Sequence, residues 1–307
     1  MNVSVVIPTY FRHEDLAELF DSLLAQTFKP FEVIVVDDTP TSAIENLCEK
    51  YRTKFMNKDV ELIYLRNPRK RSAAVARNVG VEKARGDIIL FLDSDVVLFP
   101  DFIEKIVEVF KENPSALGVQ GYIVNMNVRH SKFNYLRDLF NKIFFAHYRH
   151  PKNSCRLYEY PLFLTKIINC EWLSGANFAL RREVFDEFRF DENLAGYSFM
   201  EDVLFSHSIF KKYPKSLFMT PYAKCIHKFS PKKYVRNDVL EEHKRRCRKY
   251  VLKKLFGFRG TLLYYWQNIG LLILEVLRPL KRVGYYLKRK SKSVTVLTLF
   301  LLYYPSL

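Results

Sequence analysis

The stretch Asp87-Ile-Ile-Leu-Phe-Leu-Asp-Ser-Asp95 decides how the rest of the chain is read. Its middle, Ile88–Leu92, is an unbroken apolar run with the length of a strand buried on both faces. The run ends abruptly in two carboxylates. At i and i+2 of an extended chain, Asp93 and Asp95 can point to one side, which sets two like charges together where a buried strand emerges. A hard divalent cation that also takes diphosphate oxygens relieves that repulsion. Alone, a D-x-D motif equally describes an exposed acidic turn after a strand.

Three similar runs precede it: Val3–Ile7, Glu32–Val36 and Val60–Leu65. Between them, roughly at 14–26, 41–54 and 72–84, apolar residues recur at three- and four-residue spacing. Leu16, Leu19, Phe20, Leu23 and Leu24 give the plainest example. Strand and helix in strict alternation predict a parallel sheet covered on both faces. Such sheets bind ligands at the carboxyl ends of their strands. Three of the four runs end in reactive side chains there: Pro8-Thr9-Tyr10, Asp37-Asp38 and Asp93-Ser94-Asp95. A helix near 100–112 and a strand near 117–127 follow. Residues 128–168 are less regular and rich in Tyr, Phe, His and Arg, as an inserted lid or acceptor-binding segment would be. A second patterned block, 169–230, holds Trp172-Leu-Ser-Gly-Ala-Asn177, a helix-like 181–188 and Phe199-Met-Glu-Asp202. The sequence has no internal repeat and no low-complexity tract.

Several local groupings carry chemistry, each with a plainer reading beside it. One carboxylate of Asp37-Asp38 can accept hydrogen bonds from a base or ribose, or the pair simply ends a strand. Arg66-Asn-Pro-Arg-Lys-Arg71, leading into Ser72-Ala-Ala-Val-Ala-Arg77-Asn78, offers cations and free helix-start N–H groups to phosphates, or is a solvated basic loop. Glu201-Asp202 is an acidic island in an apolar context. There, a carboxylate can take a hydroxyl proton as general base, or be an acid favoured by a helix dipole. His227 follows an apolar run and is a candidate metal ligand or a structural histidine. The other six histidines form no ligand spacing. No Walker-type glycine loop and no G-x-S-x-G elbow is present, which disfavours P-loop and α/β-hydrolase chemistry.

The 307 residues include 49% hydrophobic ones and 49 Lys+Arg against 33 Asp+Glu, for a net charge of +16. That composition excludes a mostly disordered chain and points to an anionic partner. The charge is unevenly placed. Residues 1–230 hold 31 basic and 29 acidic residues, whereas 231–307 hold 18 and 4. The charge divides the chain there, into a balanced globular part at 1–230 and a basic, apolar, helical segment at 231–307. Tyr234–Phe256 is basic and helical in pattern, and Thr261–Leu277 is strongly apolar. Thr261, Asn268 and Glu275 lie seven apart, one polar stripe on a helix. This suits a helix lying in a membrane interface better than a span, which needs ~20 apolar residues. Val294–Tyr304 is apolar but too short to cross unaided. The five widely spaced cysteines read as reduced cytosolic thiols, and the start of the chain shows no secretory signal.

In order, Val3-Ser-Val-Val-Ile-Pro-Thr-Tyr10, Val35-Val-Asp-Asp38, Ala76-Arg-Asn-Val-Gly80, Asp87–Asp95, Trp172–Asn177 and Met200-Glu-Asp202 form a series. It resembles the family-2 nucleotide-sugar glycosyltransferases with the GT-A fold, over about residues 1–230. The resemblance implies that Pro8, Thr9 and Tyr10 line the nucleotide pocket, with Asp38 on the base and Arg77 on the nucleotide or phosphates. It implies that Asp93 helps hold the nucleotide sugar and that Asp95, with His227, coordinates Mn²⁺ or Mg²⁺. Gly175, Ala176 and Asn177, with Glu201, would border the sugar and acceptor, and Asp202 would be the catalytic base. Arg69-Lys-Arg-Ser72 departs from the glycine usual before the Ala-Arg-Asn series, and Asp37-Asp-Thr-Pro-Thr departs from the usual Gly/Ser-containing turn.

The expected reaction is inverting transfer from a nucleoside-diphosphate sugar to a hydroxyl of a lipid-linked or other cell-envelope glycan. The expected location is peripheral, on the cytoplasmic face of an anionic membrane. Two alternatives are a nucleotidyltransferase of related fold, which lacks support in a glycine-rich triphosphate loop, and a non-enzymatic membrane-binding module. Nothing resembles a nucleic-acid motif, so no nucleic-acid partner is expected.

Overall fold

The computed structural model describes the chain except residues 127–138, 147, 151–154, 158, 195, 197–198, 231–236 and 289–307, and the side chains of 148–150, 237 and 274–288. Val294–Tyr304 and part of 128–168 therefore lie outside the described residues.

The four apolar runs are strands β1 (Val3–Thr9), β2 (Glu32–Asp37), β3 (Glu61–Arg66) and β4 (Ile88–Leu92). Helices α1 (His13–Leu24), α2 (Ala43–Met56) and α3 (Ala73–Lys83) connect them. The strands order β3-β2-β1-β4, all parallel. Side chains alternate between the faces, as a pleated sheet requires. Val5, Ile7, Val33, Val35, Leu90 and Leu92 pack under α1 and α2, while Val6, Ile34, Val36, Ile89 and Phe91 pack under α3. Both faces are covered, so the runs are apolar throughout rather than alternating.

Beyond β4 the expected parallel sheet gives way to a mixed one. β5 (Val96–Leu98), α4 (Phe102–Glu112) and β6 (Gly118–Ile123) follow, and β6 leaves a gap beside β4. The later strand β10 (Asn177–Arg181) fills that gap, antiparallel to both neighbours. The order continues β10-β6-β11-β5, with β11 (Leu217–His227) bent by a register shift between Met219 and Lys224, around Pro221. The short β9 (Ile168–Asn169) pairs with β11, while β7 (Tyr148–His150) and β8 (Glu159–Pro161) form a separate ribbon. Where 181–188 reads as one helical stretch, the structure ends β10 at Arg181 and places the short α5 at Val184–Glu187.

Helix α6 (Glu201–Lys212) follows, and then α7 (Asn237–Lys288), broken at Gly257 with φ 58° and ψ −131°. Only glycine adopts that backbone without strain. The first part of α7 is docked: Cys247, Val251 and Leu255 bury against Leu194 and Leu204. Lys211 caps the break by donating to the Leu255 carbonyl at 2.9 Å. Beyond the break, Trp266 donates to the Ile143 carbonyl at 2.9 Å and Gln267 to Phe145 at 2.7 Å. Segment 139–146 of the expected lid thus rests on α7. No helix among the described residues is long and apolar enough to cross a membrane.

Candidate active site

The chain leaves β1 toward β2 on one side and returns from β3 to β4 on the other. The crevice between the carboxyl ends of β1 and β4 is therefore a topological switch point, where open α/β sheets bind ligands. A cavity of about 950 Å³ occupies it. Pro8, Thr9 and Tyr10 line it from β1, Asp38 from β2, and Asp93 and Asp95 from β4. Gly175, Ala176, Glu201, Asp202 and His227 complete the far wall.

The structure separates the two acids of the Asp37-Asp38 pair. Asp37 is fully buried and accepts from Thr39 N–H at 2.7 Å and the Tyr64 hydroxyl at 3.0 Å, fixing the strand ends. Asp38 faces the cavity and accepts from Asn67 Nδ2 at 2.6 Å and Ser72 N–H at 3.2 Å. Burial pushes its carboxyl up to about 6 despite those bonds. Of the basic loop, Arg71 reaches the cavity, donating to the Tyr10 hydroxyl at 2.7 Å with its guanidinium over the ring. Arg69 turns away to Glu82 and Glu192.

Asp93, Asp95 and His227 offer ligand atoms that all lie within 4.8 Å of one another. His227 Nε2 is 3.2 Å from Asp95 Oδ1. Burial raises Asp95, but the hydrogen bonds and charges of His227 and Arg12 outweigh it and hold the carboxyl well below the usual carboxylate range. Asp93 is raised by desolvation, and Asp95 beside it adds to the rise against the pull of Arg77. Two carboxylates and an imidazole, one acid firmly ionised, suit a divalent ion such as Mn²⁺ or Mg²⁺.

Arg77 lies beneath the cavity at 1% exposure. Its guanidinium reaches Glu201 at 2.7 Å, Asp93 at 3.2 Å and the Gly175 carbonyl at 3.2 Å. Glu201 is likewise buried in this pairing. Asp202 stands in the first turn of α6, behind Met200 in a left-handed conformation (φ 64°). Gly175 N–H donates to its Oδ2 at 2.6 Å and Val203 N–H to its Oδ1 at 2.8 Å. Burial and the charge of Glu201 nevertheless push Asp202 up to about 7. A carboxyl poised there can accept a hydroxyl proton near neutral pH. Any side chain at 175 would crowd this arrangement, since its Cβ would stand 3.0 Å from Arg77 and 3.2 Å from the Asp202 carboxylate.

Asn177 stays out of the cavity. It is fully buried in β10 and donates to Cys225 Sγ at 3.1 Å. Trp172, which opens the Trp172–Asn177 motif, lines the cavity, and so do residues that the sequence did not single out: Arg12, Phe145, Phe229, Arg248 and Gln267. They come from loops and from α7, distant in sequence and without local motif. Thr9 Oγ1 and Gln267 Oε1 are buried with no hydrogen-bond partner among the described residues, so this wall has unmet polar demand.

The glycosyl transferase family 2 model matches residues 4–189, more than half of the chain. The chain belongs to glycosyl transferase family 2. A relative in the family, the glucosyl-dolichyl phosphate glucuronosyltransferase of Haloferax volcanii, is 32% identical over 127 residues, 40% of this chain and 39% of that protein. The putative teichuronic acid biosynthesis glycosyltransferase TuaG of Bacillus subtilis is 32% identical over 120 residues, 39% of this chain and 46% of TuaG. The match thus spans less than half the length of these curated relatives. The fold is shared with the mannosyltransferase PcManGT of Pyrobaculum calidifontis, solved with GDP-Man and Mn²⁺ (TM-score 0.58, 16% identity, 98% of this chain and 85% of that one). It is also shared with S. aureus TarS (TM-score 0.54, 20% identity, 86% of this chain and 42% of that one). These neighbours match the mixed α/β architecture of the family's GT-A fold.

Proposed function

We propose that this chain transfers a sugar from a nucleoside-diphosphate sugar to a hydroxyl group in a single displacement that inverts the anomeric carbon. One observation carries the reading: a carboxylate cluster with a histidine and a separate, high-pKa aspartate line one cavity at the switch point of a family-2 chain. Asp93, Asp95 and His227 would hold Mn²⁺ or Mg²⁺. Bound there, a divalent ion neutralises charge on a leaving diphosphate.

The chain's own residues do the rest. Asp38 accepts hydrogen bonds from the base, and Pro8, Thr9 and Tyr10 wall the nucleotide. Arg71 adds a cation on that side. Arg77 works from beneath the nucleotide's phosphates in this reading: its Nη1 bonds Glu201 and its Nη2 bonds Asp93 and the Gly175 carbonyl, while Nε has no hydrogen-bond partner among the described residues. It ties the donor side of the cavity to the acceptor side. Asp202, held by two backbone N–H groups, takes the acceptor's hydroxyl proton. The freed oxygen forms the new bond to the anomeric carbon as the bond to the diphosphate oxygen breaks, and the nucleoside diphosphate departs.

The acceptor is a lipid-linked or other cell-envelope glycan, in line with the dolichyl phosphate and teichuronic acid in the relatives' names. The second part of α7 supports a membrane-proximal site. Phe258, Leu262, Tyr265, Ile269, Leu272 and Ile273 are exposed along one face, while Gln267 of the same helix lines the cavity. Lys249, Lys253 and Arg259 are exposed nearby, suited to the anionic lipids of a cytoplasmic leaflet.

Asp202→Asn tests the mechanism. Turnover should fall by at least ~100-fold, the low end of what general-base catalysis contributes, while donor affinity stays within about twofold. A product of retained configuration, read by NMR of the new linkage, would overturn the role of Asp202.

A further inference from the structure

His227 ends β11, and the residues after it fold back over the start of α1. This strap, His227–Ser230, is fastened at several points. Lys228 Nζ pairs with Asp15 and with Glu18, each at 2.7 Å. The Ser230 hydroxyl donates to Asp15 Oδ1 at 3.0 Å. Arg12 Nη2 donates to the Ser230 carbonyl at 3.0 Å and Nη1 lies 3.9 Å from Asp15. The contacts between the strap and α1 join residues at least 210 positions apart, and Asp15 gathers most of the fastening.

The fastening converges on one carboxylate. Asp95 Oδ2 accepts the Ser230 N–H at 3.1 Å and forms an ion pair with Arg12. The Asp95 carbonyl accepts the Lys228 N–H at 2.9 Å. With Oδ2 occupied from the strap side, Oδ1 is the oxygen turned to His227, 3.2 Å away. His227 is fixed from behind, where its N–H and carbonyl bond the Asn125 side chain at 3.0 and 2.6 Å. The β5–β11 pairing sets His227 opposite Val96, next to Asp95, and the strap clamps the two side chains further through a latch none of whose charged members is itself a ligand.

We propose that Asp15 and Lys228 are positioning residues for the divalent-ion site: their ion pair latches the strap that orients Asp95 and His227 toward a common ion. The proposal rests on the metal reading above. Outer-shell partners of this kind fix ligand geometry, and losing one costs roughly 10- to 100-fold in metal affinity.

The test is a titration of the full-length protein with Mn²⁺ alone, followed by electron paramagnetic resonance of the free ion. Asp15→Asn and Lys228→Met should each weaken Mn²⁺ binding by at least ~10-fold, and the double variant should be little worse than either, because both break one latch. Lys228→Arg, which keeps the ion pair, should bind close to the native level. The two single variants separate a latch from a general charge effect. Removing a nearby cation by charge alone tightens metal binding, whereas breaking the latch loosens it. Lys228→Met binding Mn²⁺ as well as or better than native protein would overturn the latch and leave the metal site standing. Native protein that binds no Mn²⁺ would overturn both.

Discussion

At the scale of single residues, the proposed chemistry concentrates on Asp202. It sits at a helix start, where the dipole favours the ionised form, and it accepts two backbone N–H groups. Burial and the neighbouring Glu201 charge outweigh these and raise it to about 7. A base must be ionised to take a proton, so kcat should climb as pH rises through about 7 and level off above it. A pH profile flat from acid to alkaline conditions would contradict that role. The sequence made Asp202, Asp93, Asp95 and His227 legible as candidates because each sits at a strand end or helix start, where a polar residue interrupts an apolar pattern. The local pattern left Asp37 and Asp38 alike and only the family resemblance chose Asp38; in the fold, Tyr64 and Thr39 consume Asp37 internally and leave Asp38 facing the cavity. Nor could the sequence show that Asn177, two residues past Gly175, turns into the sheet, because strand register decides which side each residue faces.

Among the elements, the first half of the fold was readable and the second was not. β1 to β4 are buried on both faces and announce themselves as apolar runs. β10 and β11 are recruited from a later block: β10 fills the gap left beside β4 and β11 takes the far edge of β6, and no local pattern reveals either place. The seat of α3 on β1 gives an element-scale prediction. A Cβ at Gly80 would stand 2.3 Å from Val6 Cγ1, inside a fully packed core. Gly80→Ala should therefore destabilise the protein by about 1–3 kcal/mol despite alanine's better helix propensity. Thermal unfolding should show a lower midpoint, and a raised one would contradict the packing described. Helix α7 is half legible in the same sense. Its amphipathic pattern predicts a helix, while its dock on α6 through Cys247, Val251 and Leu255 is a tertiary fact.

For the whole molecule, the placement of charge organises function. The nearly neutral first 230 residues line most of the cavity, joined by Arg248 and Gln267 of α7, and the excess of basic residues lies beyond residue 230. Because α7 is part of the folded body, point substitutions probe the membrane reading better than removal of 231–307. Leu262→Glu with Ile269→Glu should abolish sedimentation with anionic vesicles, since each exposed side chain contributes about 1.5–3 kcal/mol on burial. Circular dichroism should stay unchanged, and undiminished vesicle binding would exclude this face as the contact. On the proposed function, the cavity is a metal-dependent donor site. Its most direct measurement is a panel of nucleotide sugars incubated with the protein and Mn²⁺, scored for release of nucleoside diphosphate. At least one donor should be hydrolysed slowly, with the activity lost on chelation and in Asp95→Asn. Inertness toward the whole panel, or release of inorganic diphosphate from a nucleoside triphosphate instead, would contradict that function.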